Sequence, residues 1–434
     1  MSAYFEIAYA AATKRLCLFT GTGFSKAITE NAAPGWQELL ELLCEELSDP
    51  AAIKNVLFPV GGKNLLSLEE SAQVVDIELS KLGKDIYGLI AQKIGAINLS
   101  GDNTVISEFF TKNAITLITT NFDKLAEELA GAGNCQSITP GFPVPRSPSR
   151  VKVYHVHGSI DSPQNMVVTS DDYFRFINGH SYFSRKLSTI LHENTVVILG
   201  YSLGDTNLKA IINDYRSFSK THIISGNLFF VSRSRVDQYI KDYYAHCYGI
   251  RVLDTLEVHE FFKRINISMP EATKCVVSSI EDIKKVLFKG NTFTDHYLKV
   301  SSSFYEIVAS VAAIGRSIND PRVVTALEAI LSKKVQFTNE NGAWEQYEHL
   351  AQWLIYLGSI LELNGTSIRD TYLGAVLRSM TTMSNTQYYG YSWHAYTSWS
   401  YGWSKIIASN RGIIKAFIKA RTVSADALEI VNRG

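Results

Sequence analysis

The stretch Leu16–Ser25, LCLFTGTGFS, decides the fold expected for this chain. Its first four residues form a continuous apolar run, which is typical of a parallel strand buried on both faces. Gly21 and Gly23 follow, and they allow the backbone to turn sharply and to approach a ligand closely. Ser25 is placed as the N-cap of a helix whose free N–H groups would face a phosphate in the turn. Such a turn alone does not separate a nucleotide site from an ordinary strand–helix connection.

Further apolar runs continue the pattern, and helical segments separate them. Residues 131–149, which contain several Gly and Pro, are interpreted as a loop, and residues from about 50 to 112 as a helical insert. Because strands and helices alternate, we expect an α/β fold with a doubly wound parallel sheet. The predicted strands after the first are Ala114–Thr120, Val151–Val156, a short segment at Met166–Thr169, Asn194–Leu199, Asn227–Val231 and Ile250–Leu253.

The character of the sequence changes after about residue 265, where strand patterns fade and helical periods dominate. We therefore predict a catalytic domain over residues 1–265 and an all-helical domain over 266–434, with the boundary between about 263 and 275. The segment Tyr388–Trp403, YYGYSWHAYTSWSYGW, is densely aromatic. It suits either the core of a helical hairpin or an interface, since aromatic residues are enriched at interface centres. From the second interpretation we expect a homo-oligomer.

The composition argues against a nucleic-acid-binding, membrane-spanning, zinc-binding or disulfide-rich protein. The chain has 434 residues, of which 46% are hydrophobic, and its 42 basic residues balance 42 acidic ones. A neutral chain gives no electrostatic reason to expect direct binding to nucleic acid. No apolar run is long enough to cross a membrane, so a cytoplasmic protein is expected. The five cysteines lack paired spacing, so we expect neither a zinc site nor a disulfide framework; they are Cys17, Cys44, Cys135, Cys247 and Cys275.

Small and polar residues follow four of the predicted strands. These segments are Gly21–Ser25, Thr119–Asp123, His157–Ser159 and Gly200–Ser202. In doubly wound sheets, ligands bind beyond the carboxyl ends of the strands. Four such ends on one edge of the sheet predict a single binding site.

The order GTGFS, TTNFD, HG and GYS resembles the sirtuin nucleotide-binding domain, over about residues 10–255. The resemblance implies a Rossmann-like core, NAD as the ligand and cleavage of its nicotinamide–ribose bond. Thr22 and Thr120 depart from the usual Ala and Gln, Pro34-Gly35-Trp36 replaces a Pro-Asp-Phe-Arg segment, and the zinc module is absent. With these departures the chain resembles the bacterial sirtuin-like NAD hydrolases of anti-phage defence, some of which pair with a HerA-type ring ATPase.

Two residues are the candidate catalysts. Asn121 offers an amide donor and an acceptor that can orient a water or a ribose hydroxyl, or it caps a helix. His157 can act as a general base near neutral pH, or it is a buried structural histidine. His155, two residues earlier on the same strand, is interpreted as structural. The candidates for binding NAD are Gly21, Thr22, Gly23, Ser25, Asp123, Gly200, Ser202 and Asp205, and Asp123 and Asp205 suit helix caps equally well.

The expected function is hydrolysis of NAD to ADP-ribose and nicotinamide, as the toxic effector of a defence system. An NAD-dependent protein deacylase is an alternative, although no segment is identified as an acyl-peptide groove. A non-catalytic sensor of NAD or ADP-ribose that regulates a partner is another. The presence of both Asn121 and His157 favours chemistry, because neither residue is needed merely to hold a pyrophosphate.

Overall fold

A seven-stranded parallel sheet forms the centre of the N-terminal part. The computed structural model of the protein describes residues 3–144, 148–178, 186, 189–191, 193–202, 228–316, 318, 320–387 and 389–433. The strand order is β3-β4-β2-β1-β5-β6-β7, and every neighbouring pair is parallel. The predicted α/β class with a doubly wound sheet is confirmed. The strands are β1 Leu16–Thr20, β2 Ile115–Thr119, β3 Cys135–Ile138, β4 Val151–His155, β5 Thr195–Leu199, β6 Leu228–Val231 and β7 Ile250–Leu253.

Helices surround this sheet and make up the C-terminal part. Those of the N-terminal part are α1 Ala3–Ala12, α2 Thr22–Ala27, α3 Trp36–Cys44, α4 Pro50–Leu57, α5 Leu68–Lys81, α6 Ile86–Gly95, α7 Thr104–Lys112, α8 Leu125–Ala130, α9 Ser170–Asn178 and α10 Gln238–Tyr248. Those that follow are α11 Val258–Lys289, α12 Asp295–Lys299, α13 Ser303–Ala313, α14 Pro321–Phe337, α15 Trp344–Ile360, α16 Arg369–Thr381, α17 Trp393–Gly402, α18 Ala408–Lys419 and α19 Ala425–Asn432. Across the described ranges, no helix has both the length and the apolar character that crossing a membrane requires.

Two sequence-based strand assignments are wrong. Residues 131–149 were expected to form a loop, but Cys135–Ile138 is a strand, β3, at the edge of the sheet. Its four residues are too few to give a clear period-two pattern between the flanking glycines and prolines. Met166–Thr169 is predicted to be a strand, but among the described residues it pairs with no strand of the sheet. Instead the Val167 N–H donates to the carbonyl of His157, which ties this segment to the end of β4.

The sheet is covered on both faces, as a doubly wound fold requires. Every residue of β1 is buried. Leu16 and Leu18 belong to the apolar cluster on one face, whereas Cys17 and Phe19 belong to the cluster on the other. The helices α3, α5 and α6, which fall between β1 and β2 in the chain, bury a third cluster that includes Phe122. That side chain thus connects the end of β2 to the inserted helices.

The helix α11 runs without a break from the sheet-containing part into the helical C-terminal part. Its Phe261 and Phe262 are buried, and Ser279, further along, is bonded to Tyr9 of α1 with 2.7 Å between the hydroxyl oxygens. Helices α13 to α16 confirm the helical periods predicted beyond residue 300. The predicted boundary between 263 and 275 lies inside α11, and the division into two domains stays a prediction.

The aromatic segment before residue 404 is divided between core and surface. Tyr396, Trp399 and Trp403 are buried within the C-terminal helices. Tyr389, Trp393 and Tyr401 are 99%, 45% and 77% exposed, respectively. The described part of the segment therefore supplies part of the core and also leaves large aromatic side chains on the surface.

The turns after β1 and β5 pack backbone against backbone. β1 and β5 are adjacent in the sheet. The next strand after β1 in the chain, β2, lies on one side of this pair, and the next after β5, β6, lies on the other, so the pair marks the topological switch point. The Gly21 and Gly23 N–H groups donate to the carbonyls of Leu199 and Gly200 at 3.0 and 2.9 Å. Gly200 has φ +75°, and a Cβ there would lie 2.1 Å from the backbone nitrogen of Phe24. Only glycine fits this contact.

Gly200→Ala is expected to lower the free energy of unfolding by about 3 kcal/mol or more. The alanine would have to adopt a left-handed backbone conformation, and its Cβ would clash with the backbone of Phe24. Urea denaturation of the purified variant measures this loss. Gly249→Ala is the matched control, because Gly249 also has positive φ, +65°, but a Cβ there would meet nothing within 4 Å. Gly249→Ala should lower the free energy of unfolding by only about 1–2 kcal/mol, from the left-handed backbone conformation alone. Equal losses for the two variants would contradict the steric explanation.

Candidate active site

A cavity of about 250 Å³ opens beyond the carboxyl ends of the strands, at the switch point between β1 and β5. Segments that follow β1, β2, β4 and β5 all contribute to its wall, as the four polar strand ends predicted. Helix α3 closes part of the wall with apolar side chains. Its lining includes Thr22, Ser25, Trp36, Thr120, Asn121, Asp123, His157, Tyr173, Gly200, Tyr201 and Ser202.

Asn121 is held from three sides just after β2. Its backbone N–H donates to the Thr119 hydroxyl at 3.0 Å, and its side-chain Nδ2 donates to Ser25 Oγ at 2.7 Å. Its backbone carbonyl lies 3.2 Å from Nδ1 of His155. The side-chain oxygen Oδ1 is buried and has no hydrogen-bond partner among the described residues. A buried acceptor is costly to leave unpaired, so this atom is available to a ligand in the cavity.

Ser25 and Asp123 complete the network around Asn121. Ser25 Oγ donates to Asp123 Oδ2 at 2.7 Å, and Asp123 Oδ1 accepts the N–H of Leu125 at 3.1 Å. Burial raises the pKa of Asp123 above its ordinary value, although both hydrogen bonds act against that rise. Asp123 thus both bonds the first residue of α8 and fixes Asn121 through Ser25.

The expectation that Ser25 is a helix N-cap is wrong. Helix α2 begins at Thr22 with Gly21 in the N-cap position, so Ser25 lies inside the helix. The N-cap lies four residues earlier than the sequence pattern indicated, because the Gly21 backbone is extended and helical residues follow at once. The interior position directs the Ser25 hydroxyl toward Asn121 and Asp123.

His157 follows the end of β4 and reaches the same cavity. Its ring meets the rings of Tyr173 and Phe176 edge to face, with centroid distances of 5.3 and 5.2 Å. Within the described residues, neither ring nitrogen has a hydrogen-bond partner. Burial lowers the pKa of His157 to about 4, since the apolar surroundings disfavour the charged ring. At neutral pH the ring is therefore uncharged and able to accept a proton.

The structure brings most of the predicted site residues together. Thr22, Gly200 and Ser202 line the cavity along with Ser25, Asn121, Asp123 and His157. Gly21 and Gly23 lie behind it, where their N–H groups are engaged by the end of β5 rather than directed at a ligand. Asp205 lies outside the described residues.

Several lining residues were not among the sequence-predicted site residues. Trp36, at the start of α3, presents a buried indole N–H without a hydrogen-bond partner in the part of the chain that the structure describes. Thr120 Oγ1 and the Tyr201 hydroxyl lie 2.6 Å apart, and the Tyr201 ring stacks on Phe19. The sequence marked Trp36 only as part of Pro34-Gly35-Trp36, the segment that departs from the sirtuin pattern. Among the described residues, no three His, Cys, Asp or Glu side chains cluster as metal ligands would.

Comparison with known proteins agrees with this geometry. Residues 115–253, from β2 to β7, match the family described as SIR2-like domain. Over this range the chain is similar to the SIR2-like family, which confirms the resemblance inferred from the order of its motifs.

The chain is also similar to two proteins whose names state a role or an activity. The chain is 24% identical to Defense-associated sirtuin 2 of Bacillus subtilis over 254 residues, which is 57% of this chain and 24% of that protein. It is 37% identical to NAD(+) hydrolase ThsA of Enterococcus faecium over 65 residues, which is 15% of this chain and 14% of that protein. The similarity thus covers about a quarter or less of each relative's length.

Proposed function

We propose that this protein hydrolyses NAD to ADP-ribose and nicotinamide, with Asn121 and His157 as its catalytic residues. The observation that carries the proposal is their joint placement in one cavity at the switch point of a SIR2-like fold. Asn121 directs an unpaired buried acceptor there, and His157 supplies an uncharged imidazole. The printed name of one relative, NAD(+) hydrolase, supports the same reaction.

The chemistry matches what the two residues can do. The bond between nicotinamide and C1′ of the ribose breaks, and nicotinamide departs as a neutral base with the bonding electrons. Water then forms a bond to C1′, and its proton passes to the His157 ring and on to solvent. Asn121 Oδ1 can accept a hydrogen bond from the attacking water or from a ribose hydroxyl and so orient it.

Several other groups suit the binding of the dinucleotide. The Trp36 N–H adds a buried donor to the acceptor of Asn121, and a carboxamide such as that of nicotinamide needs one of each. Thr22 and Ser202 add hydroxyl groups at the mouth of the cavity. We include Gly200 and Asp123 in the binding site for their part in shaping and fixing it, and the assignment of Asp205 stays a prediction.

The cellular role we propose is that of a toxic effector in anti-phage defence, in which NAD is depleted on activation. One relative's name, Defense-associated sirtuin 2, supports this context. An unregulated NAD hydrolase would kill its host, so its activity must be controlled. We assign the control to the helical region after residue 265, and a HerA-type ATPase partner stays a prediction that the resemblance allows.

The central test is product analysis. Purified protein is incubated with NAD, with and without an acetyl-lysine peptide, and nicotinamide and ADP-ribose are quantified by mass spectrometry. Nicotinamide release without peptide supports the proposal, whereas release only with peptide identifies a deacylase. Binding of ADP-ribose without turnover identifies a sensor. Because activity is expected to be controlled, cellular NAD is also measured after overexpression of the wild type and of Asn121→Ala.

We further propose that the helices after residue 265 assemble the protein into a homo-oligomer. The exposed aromatic residues Trp344, Tyr389, Trp393 and Tyr401 support this, since Trp and Tyr bury large areas with few rotatable bonds. Light scattering of the full chain at micromolar concentration is expected to give a multiple of 48.4 kDa. Tyr401→Glu should lower that mass, whereas Val56→Glu, at a comparably exposed position of α4, should not. A monomer mass for the wild type would contradict the proposal.

A further inference from the structure

A buried acid–histidine pair lies directly behind Asn121. His155, the last residue of β4, is fully buried, and its Nε2 lies 2.7 Å from Oε1 of Glu127 on α8. Its Nδ1 lies 3.2 Å from the backbone carbonyl oxygen of Asn121. The ring therefore bridges a carboxylate and the residue that we place in catalysis.

Both atoms that face this ring are hydrogen-bond acceptors. A backbone carbonyl carries no proton. Lys124 Nζ lies 2.9 Å from Oε1 of Glu127, and this cation favours the carboxylate whatever the charge of His155. Burial acts to raise the pKa of Glu127, but the hydrogen bonds and charges around it outweigh burial and lower that pKa to about 2. A neutral imidazole has a single N–H, so it would leave one nitrogen lone pair against an oxygen. Only the doubly protonated ring donates to both neighbours.

The surrounding charges suit a buried imidazolium. Lys124 Nζ lies 2.9 Å from Glu127 Oε1 and 2.6 Å from Asp161 Oδ2. An imidazolium at His155 would therefore join one cation to two anions. Asp123 and Cys135 are the other titratable groups near the pair, and burial raises the pKa of the Cys135 thiol to about 12, which keeps it neutral. A buried charge is tolerated when it is paired and its donors are satisfied. Each ring nitrogen of His155 faces an acceptor, whereas Oε2 of Glu127 is buried without a hydrogen-bond partner among the described residues.

We propose that Glu127 holds His155 as an imidazolium and that this cation is a positioning residue for Asn121. By fixing the Asn121 carbonyl, it keeps the side chain of Asn121 directed at Ser25 and the cavity. With only one ring proton, a lone pair of His155 would face either the Asn121 carbonyl or Glu127, and the hold on Asn121 would be lost. The kinetic part of this inference rests on the proposed NAD hydrolysis.

Three variants separate a positioning role from a merely structural one. Glu127→Ala removes the partner and is expected to lower kcat on the order of 10- to 100-fold, with KM changed by less than about twofold. Glu127→Gln can donate its amide N–H to a neutral ring, whose remaining N–H then bonds Asn121. This variant is expected to recover most of kcat. Glu128→Gln, at the adjacent exposed position of α8, should retain the wild-type kcat and KM.

Nitrogen NMR of protein labelled with ¹⁵N-histidine tests the protonation state without any turnover. The His155 signals are identified by their absence in His155→Gln. At pH 7 the wild type should show two protonated ring nitrogens at His155, and Glu127→Gln should show one. A neutral His155 in the wild type, or wild-type kcat in Glu127→Ala, would overturn the inference. If the wild type cleaves no NAD, the proposed function fails, and the NMR result still decides whether Glu127 holds the imidazolium.

Discussion

Asn121→Ala is expected to lower kcat for NAD cleavage by 10²–10⁴-fold, which corresponds to about 3–5 kcal/mol of barrier. The variant removes Oδ1, the buried acceptor that has no hydrogen-bond partner among the described residues and is available to a ligand in the cavity. It also removes the hydrogen bond from Nδ2 to Ser25. Single-turnover measurement of nicotinamide release gives the rate, and calorimetry with ADP-ribose shows whether binding persists. The backbone bonds of Asn121 to Thr119 and His155 do not involve the deleted atoms, so the fold should remain intact.

Asn98→Ala is the matched control, since Asn98 is an exposed asparagine after α6 whose side chain bonds only locally to the Ala96 carbonyl. It should keep wild-type turnover. If Asn121→Ala, shown to be folded by circular dichroism, retained more than about a tenth of wild-type kcat, then Asn121 would not be a catalytic residue.

His157→Ala is expected to cost a similar 10²–10⁴-fold in kcat, because the proton of the attacking water loses its acceptor. The pH dependence adds a sharper test. Since burial lowers the pKa of His157 to about 4, the ring stays neutral well below the ordinary histidine pKa of about 6.5. For the wild type, kcat/KM should therefore stay level between about pH 8 and pH 5.5 and fall only as the pH approaches 4.

His296→Ala, which alters an exposed histidine of α12, should change neither the rate nor the profile. An acid limb centred near pH 6.5 would contradict the assignment of His157 as an uncharged buried base. Turnover by a folded His157→Ala protein at more than about a tenth of the wild-type rate would contradict its catalytic role altogether.

The fold was predictable where local signals were strong. The apolar run before Gly21 and the similar run before Thr119 gave the central strands, and their polar ends gave the location of the site. The edge strand Cys135–Ile138 was missed because its half-buried residues carry little apolar signal in a stretch rich in turn residues.

The contacts within the site were harder to predict because they join distant parts of the chain. Ser25 and Asn121 are 96 positions apart, and only the adjacency of β1 and β2 brings them within 2.7 Å. The pairing of His155 with Glu127 likewise depends on how α8 packs on β4. The pattern placed His155 deeper on the same strand as His157, but nothing in the local sequence shows which acceptors its two nitrogens meet.

Helix α11 has a practical consequence for obtaining the SIR2-like part alone. Its 32 residues at about 1.5 Å each give a length of about 48 Å along a helix that contains Pro270, and its second half reaches α1 through the bond between Ser279 and Tyr9. A chain shortened near residue 270 would end in the middle of α11. It would lack Ser279, the hydrogen-bond partner of the Tyr9 hydroxyl, and would expose apolar surface that favours aggregation. A chain that ends after Lys289 retains the whole of α11 and should give a higher yield of soluble monomeric protein than the chain that ends near residue 270.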